Sequence, residues 1–483
     1  MNQRWLALGV LCAGMLMIIL DQTIVTVALP TIQRDLGFSQ ASLAWVVNAY
    51  LIPFGGLLLL AGRLGDLLGR TRVFVGGLVV FTAASLLCGA AGGPQVLIAA
   101  RFAQGVGGAL ASAVALGMVV TLFPDPGERA KAIGVFSFVG AAGASIGVVA
   151  GGVLTQAVNW HWIFFVNVPL GIAAVALALR VLESGRGIGL RAGADVAGAA
   201  LVTAGLMLGV YTIVEAAHYG WGSAHTLGFG ALSVILLAAF VARQSRTATP
   251  LLPLRVFGSR DVSGANLVQV LMVAAMMSFQ FLAALYLQRV LGYQPARVGA
   301  ALLPIALVIA AISLGLSARL TTRFGARAIL LAGLALLVVG LALLARVPVA
   351  GSYPVDILPV MLVLGVGAGL SLPAVTMLAM SGAGPEDSGL ASGLVNTTQQ
   401  IGGALGIAVL ATLATARTDR LLAHGHTGAA ALTGGYRLAF GVGAGLVALA
   451  AVLTATVLRP KATVLKPQAS PEAEPAEVGS TGA

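Results

Sequence analysis

The chain has 483 residues, of which 59% are hydrophobic and 9% charged, and its mean hydropathy is +1.00. Soluble domains carry about 25% charged residues, so this composition excludes a soluble domain and indicates an all-α polytopic membrane protein. The net charge of +11 is no nucleic-acid footprint, because the basic residues are sorted by membrane side. Cys12 and Cys88 both lie in apolar runs, as packing residues do, and imply neither a disulfide nor a metal framework.

The first apolar run, LALGVLCAGMLMIILDQTIVTVALP, carries Asp21 at mid-span. A carboxylate in hydrocarbon costs several kcal/mol unless it faces the protein interior, is paired or is protonated. Such an acid marks an ion or substrate pathway, or is a packing acid bonded to a neighbouring hydroxyl. The start MNQRW leads directly into this run. The run is too long and too charged for a cleaved signal, so it reads as a retained first span.

Apolar windows of about twenty residues continue along the chain at 42–62, 72–92, 95–122, 131–154, 162–182, 195–216, 226–243, 262–289, 298–318, 327–346, 356–380, 389–415 and 434–458. With the first at 5–29, this predicts fourteen spans and both termini on one side. More than twice as many Lys and Arg residues then fall on the side of the termini as on the other, which places the termini in the cytoplasm. The last segment, PQASPEAEPAEVGSTGA, has no apolar face and is expected to be a disordered tail.

An internal repeat supports the same layout. GRLGDLLGRTR (62–72) returns in degraded form as ARLTTRFGAR (318–327). Arg63 and Leu64 match Arg319 and Leu320, Gly69 matches Gly325, and Thr322 replaces the acid. GVGGA at 105–109 is echoed by GVGAG at 365–369. The expected organisation is a six-helix bundle over 1–190, two inserted helices over 191–260, a second six-helix bundle over 261–459 and a cytoplasmic tail over 460–483. Repeated halves around a midplane site are a recurrent transporter plan.

Several stretches now carry a specific resemblance. LDQTIVTVALP, GRLGDLLGRTR, RFAQGVGGA, WHWIFFVNVPLG and SGLASGLVNTTQQIGGALG together resemble the major facilitator superfamily, and within it the fourteen-helix drug:proton antiporters, which are multidrug efflux transporters. The resemblance covers nearly the whole chain up to the tail. It implies proton coupling through Asp21 and Arg101, Arg101 being otherwise an arginine that snorkels to the interface. It also implies a cytoplasmic latch at Gly62, Asp66, Gly69, Arg70 and Arg72, where the alternative is a merely topogenic basic loop. The chain departs from the family pattern at Leu67, where a base is usual, and at His161, where Arg is common. The helix-5 motif keeps Gly143, Gly147, Gly151 and Gly152, but Val148 stands where a proline is usual. Helix-packing glycines are thus retained while a kink is lost.

Desolvation favours the neutral form of an acid such as Asp21, which makes it a candidate proton carrier for which a cationic drug would compete. Gln104, Asn266, Gln269, Gln280, Asn396 and Gln400 either line a substrate cavity or bond between helices. The Gly-rich stretches lie inside spans and lack the Lys-Ser/Thr of a phosphate loop, so transport is expected to draw on an ion gradient. No nucleophile–base pair or metal cluster suggests an enzyme, and no metal or cofactor is expected beyond protons as the coupling ion. The expected partners are a small amphipathic substrate and the lipid bilayer. The expected state is a monomer in a bacterial plasma membrane.

Overall fold

The computed structural model describes residues 3–39, 42–123, 125–183, 187, 189, 195–247, 250–251, 259–380 and 388–458. The proposed tail at 460–483, the division at 190–191 and the side chain of Thr322 lie outside them. Among the described residues the secondary structure is entirely helical. In chain order the long helices are α1 (Gln3–Leu36), α2 (Trp45–Leu68), α3 (Arg70–Gly89), α4 (Pro94–Leu122) and α5 (Pro126–Ala157). The sixth, α6, is broken into Trp162–Phe165 and Asn167–Val181, and α7 (Val196–Tyr219) and α8 (Ala224–Gln244) follow. After α9 (Arg260–Arg289), α10 runs over Pro295–Ala311, a π-helical stretch Ile312–Ser317 and Ala318–Phe324. The chain continues through α11 (Ala326–Leu344), α12 (Leu358–Met380), α13 (Ser388–Ala423) and α14 (Gly428–Thr456).

Thirteen helical segments among the described residues are long and apolar enough to cross a membrane. The remaining expected span falls on α5, which is 32 residues long. Helix starts follow from local chemistry. Asp195, Ser223, Ser259 and Thr427 each accept a hydrogen bond from the amide three residues on, capping α7, α8, α9 and α14. Pro94 and Pro295 open α4 and α10, where a missing N–H costs nothing.

Helices α1–α6 pack together, as do α9–α14, and equivalent glycines set both bundles. Gly77 of α3 and Gly107 of α4 cross so closely that a methyl on either would sit 2.8 Å from the other's carbonyl oxygen. Gly333 of α11 and Gly367 of α12 repeat the crossing at 2.7 and 2.9 Å. The loop repeat has the same logic: Gly69 joins α2 to α3 at φ +97°, and Gly325 joins α10 to α11 at φ +83°. Only glycine reaches that region without strain.

The inserted pair packs on itself, and α7 also lies against α2 and α13. A cluster around the buried Asp195 carboxylate ties the pair. Asp195 accepts from the Gly198 amide at 2.8 Å, from Arg243 Nε at 2.5 Å and from Gln244 Nε2 at 2.7 Å. Burial works against the charged form of Asp195, but the Arg243, Gly198 and Gln244 bonds outweigh it and hold its carboxyl below the usual range.

The two bundles meet at the ends of the helices away from Gln3 and Leu458. Gly152 of α5 approaches the backbone of Pro295 and Ala296, and Gly299 of α10 approaches the Val148 carbonyl. The Gln156 side chain accepts from the Ala296 amide at 3.3 Å, and Gln288 Nε2 donates to the Val27 carbonyl at 2.7 Å. Near mid-span, Gly55 of α2 packs on Gln400 and Thr397, and Leu51 meets Gly403 of α13. Burial follows the same gradient. Residues 24–30 of α1 are all buried, whereas Arg4, Leu6, Gly9 and Ala13 toward the terminus are exposed.

Candidate functional site

Asp21 sits at mid-span in α1, and its carboxylate is wholly buried. Arg101 Nη1 lies 2.5 Å from Asp21 Oδ2. Gln104 Nε2 and Asn167 Nδ2 donate to Oδ1 at 2.8 and 2.9 Å. Arg101 and Gln104 are three residues apart, so α4 presents both on one face. Asn167 is placed by the break in α6.

Arg101 is equally enclosed, at 1% exposure. Its Nε donates to the Val46 carbonyl of α2 at 3.0 Å, and Nη1 also reaches Gln104 Oε1 at 2.6 Å. The guanidinium lies 4.4 Å above the Tyr50 ring, a favourable cation–π placement. Gln104 Nε2 donates further to Ser85 Oγ at 2.8 Å, and Gln22 Nε2 donates to the Tyr50 hydroxyl at 3.3 Å. Burying two charges costs several kcal/mol per ion unless pairing and hydrogen bonds offset it. Here both kinds of compensation are supplied, by α1, α2, α3, α4 and α6.

This geometry excludes one alternative and corrects one expectation. Arg101 does not snorkel to the interface; it pairs directly with Asp21. Gln104 does not line a substrate cavity; it is fully buried within the Asp21 network, because its amide matches carboxylate, guanidinium and hydroxyl at once. A cationic drug cannot compete for Asp21 in this conformation, since the carboxylate has no exposed surface.

The other amides divide. Asn266 donates to the Val262 carbonyl at 2.8 Å and accepts from Thr398 of α13 at 3.1 Å. Gln269 donates to the Val395 carbonyl of α13 at 3.1 Å. Both are buried and bond between helices. Gln280 and Gln400 are half-buried, and Asn396 is exposed.

Asp66 pairs with Arg70 at 3.3 Å, and Arg70 Nη1 reaches the Gly117 carbonyl of α4 at 3.3 Å. Both charged side chains are nearly half exposed, which limits such a pair to about 0–1 kcal/mol. Arg72 is exposed, and Gly62 faces open space. Leu67 is buried, and its carbonyl accepts from the Gly189 amide at 3.0 Å. On α5, Gly143, Gly147 and Gly151 lie along α1, against Leu16, Thr23 and Ile24, while Gly152 faces α10. Val148 is buried in the contact between bundles.

Asn167, Ser85, Tyr50 and Gln22 were not singled out from the sequence as site residues. Asn167 is a lone amide in the apolar stretch IFFVNVPL, and that contrast is the signal that would have found it.

The sequence model of the Major Facilitator Superfamily matches residues 11–407. The puromycin resistance protein pur8 of Streptomyces alboniger is 39% identical over 457 residues, covering 93% of this chain and 90% of the relative. The cephamycin export protein CmcT of Amycolatopsis lactamdurans is 39% identical over 409 residues, 84% of each chain. The tetracenomycin C resistance and export protein of Streptomyces glaucescens is 35% identical over 416 residues, 86% of this chain and 77% of the relative. The solved nucleoside transporter NupG shares the fold, with a TM-score of 0.65 at 12% identity, over 94% of this chain and all of that one. The chain belongs to the Major Facilitator Superfamily.

Proposed function

We propose that the chain exports amphipathic small molecules, antibiotics or other drugs, across a bacterial plasma membrane in exchange for protons, by alternating access between its two bundles. The observation that carries this reading is the sealed Asp21–Arg101 pair in a protein whose relatives are named for antibiotic resistance and export. Asp21 is the proton carrier. Adding a proton to its carboxylate yields a neutral acid and leaves Arg101 without its counter-charge. Loss of that proton restores the pair. One charge moved through 100 mV is worth about 2.3 kcal/mol, enough to drive accumulation against a concentration gradient.

The Lys/Arg asymmetry puts both termini in the cytoplasm, so the bundles meet on the outer side and this conformation faces inward. The proposed working unit is a monomer, with one substrate pathway between its two bundles. The Asp66–Arg70–Gly117 link serves as the cytoplasmic latch and biases the balance of conformations.

A narrower reading, export of one compound, is favoured by relatives that each carry a single antibiotic in their names. Expression in cells lacking their own pumps, challenged with puromycin, a cephamycin, tetracenomycin C and ethidium, separates the two. Lower intracellular levels of several compounds support the broad exporter, and of a single compound the narrow one. Raised intracellular levels would contradict export altogether.

A further inference from the structure

Helix α2 touches the buried ion pair with one stripe and the other bundle with a second. Val46 and Tyr50, one turn apart, both contact Arg101: the carbonyl accepts from Nε at 3.0 Å and the ring lies 4.4 Å from the guanidinium. Leu51 and Gly55 lie on a stripe about 140° away and pack on Gly403, Gln400 and Thr397 of α13. Tyr50 is wholly buried, against α4 at Gly105 and Gly108, and its hydroxyl accepts from Gln22. Asn48, between Val46 and Tyr50 in sequence, is also buried.

We infer that α2 carries the charge state of Asp21 to the closure between the bundles, with Tyr50 as the positioning residue. This rests on the proposed role of Asp21 as proton carrier. Protonation at Asp21 neutralises the carboxylate and removes Arg101's counter-charge. The Tyr50 ring face and the Val46 carbonyl remain as electron-rich partners of the guanidinium, and both belong to α2. The guanidinium shifts its hold toward α2, and the stripe of Leu51 and Gly55 passes that shift to α13. In a purely structural role, Tyr50 would only fill space between α2 and α4.

The test needs no substrate. Full-length protein in lipid nanodiscs carries spin labels at two exposed far-side positions, Val158→Cys in the first bundle and Leu422→Cys in the second. The distance distribution is read across pH in backgrounds that are otherwise wild type, Asp21→Asn, Tyr50→Phe or Tyr50→Leu. The expected result is a pH-dependent population shift in wild type that Asp21→Asn abolishes and Tyr50→Phe retains. Tyr50→Leu reduces it at least about tenfold, the scale of a desolvated cation–π contact. A shift in Tyr50→Leu equal to wild type, with Asp21→Asn still silent, overturns the inference and leaves the proton reading intact. A wild type without the shift, or a shift that survives Asp21→Asn, overturns both. If Tyr50→Leu does not reach the membrane, Tyr50→Trp and Tyr50→Met take its place. Retention in Trp and loss in Met supports the inference, and equal behaviour overturns it.

Discussion

The guanidinium of Arg101 and the carboxylate of Asp21 meet at 2.5 Å, eighty residues apart in the chain, with neither group exposed beyond 1%. Removing one member of such a pair strands the other. Arg101→Met alone is expected to destabilise the protein by about 3–5 kcal/mol. Asp21→Leu with Arg101→Met is expected to recover most of that loss while abolishing gradient-driven transport. Thermal unfolding in detergent, read beside transport, checks both halves of this expectation.

The closure between bundles depends on small side chains at Gly152 and Gly299. A methyl at either position would sit 2.6 Å from a carbonyl oxygen of the opposite bundle. Backbone cannot yield as a side chain does, and overpacking costs about 1–3 kcal/mol. Gly152→Val is therefore expected to favour the form open on the far side by about tenfold or more. Gln288→Leu, which removes only the 2.7 Å bond to Val27, is expected to shift it by about fivefold. Labelling rates of a single cysteine at Thr31 report both.

Asp195 ties α7 to α8, and its hydrogen-bonding partners hold its carboxyl below the usual range. A depressed folded value means that stability is fully present above the unfolded value of about 3.9 and is lost as pH falls through the lower folded value. Asp195→Ala is expected to lower the melting temperature by a constant amount from about pH 5 to 7. The difference from wild type should shrink only in stronger acid. A difference that already disappears between pH 7 and 5 would contradict the assignment.

Gly69 and Gly325 hold the same left-handed backbone in the two halves. Alanine at either site is expected to cost about 1–3 kcal/mol, with similar losses from Gly69→Ala and Gly325→Ala. Melting temperatures of the two variants measure how alike the joints are.

Much of the fold was legible because hydrocarbon imposes long apolar runs and sorts charges by side. Asp21 stood out because a carboxylate in such a run needs a reason. The partners of that acid were harder to read. Arg101 was visible as a charge, but its depth depends on how α4 packs. Asn167 and Ser85 are short polar residues in apolar sequence, and their roles arise only when α6 and α3 are brought against α1. The six amides could not be sorted by sequence either: Gln104 met the ion pair, whereas Asn266 and Gln269 met α13. The breaks in α6 and α10 interrupt runs that read as single uniform spans at 162–182 and 298–318.

The proposed function requires that proton movement at Asp21 drive export. Its most direct test is ethidium efflux from energised cells lacking their own pumps, comparing wild type with Asp21→Asn, with and without a protonophore. The expected result is efflux in wild type that the protonophore stops, and none above background in well-expressed Asp21→Asn. Efflux that persists in Asp21→Asn and still collapses with the protonophore would contradict it.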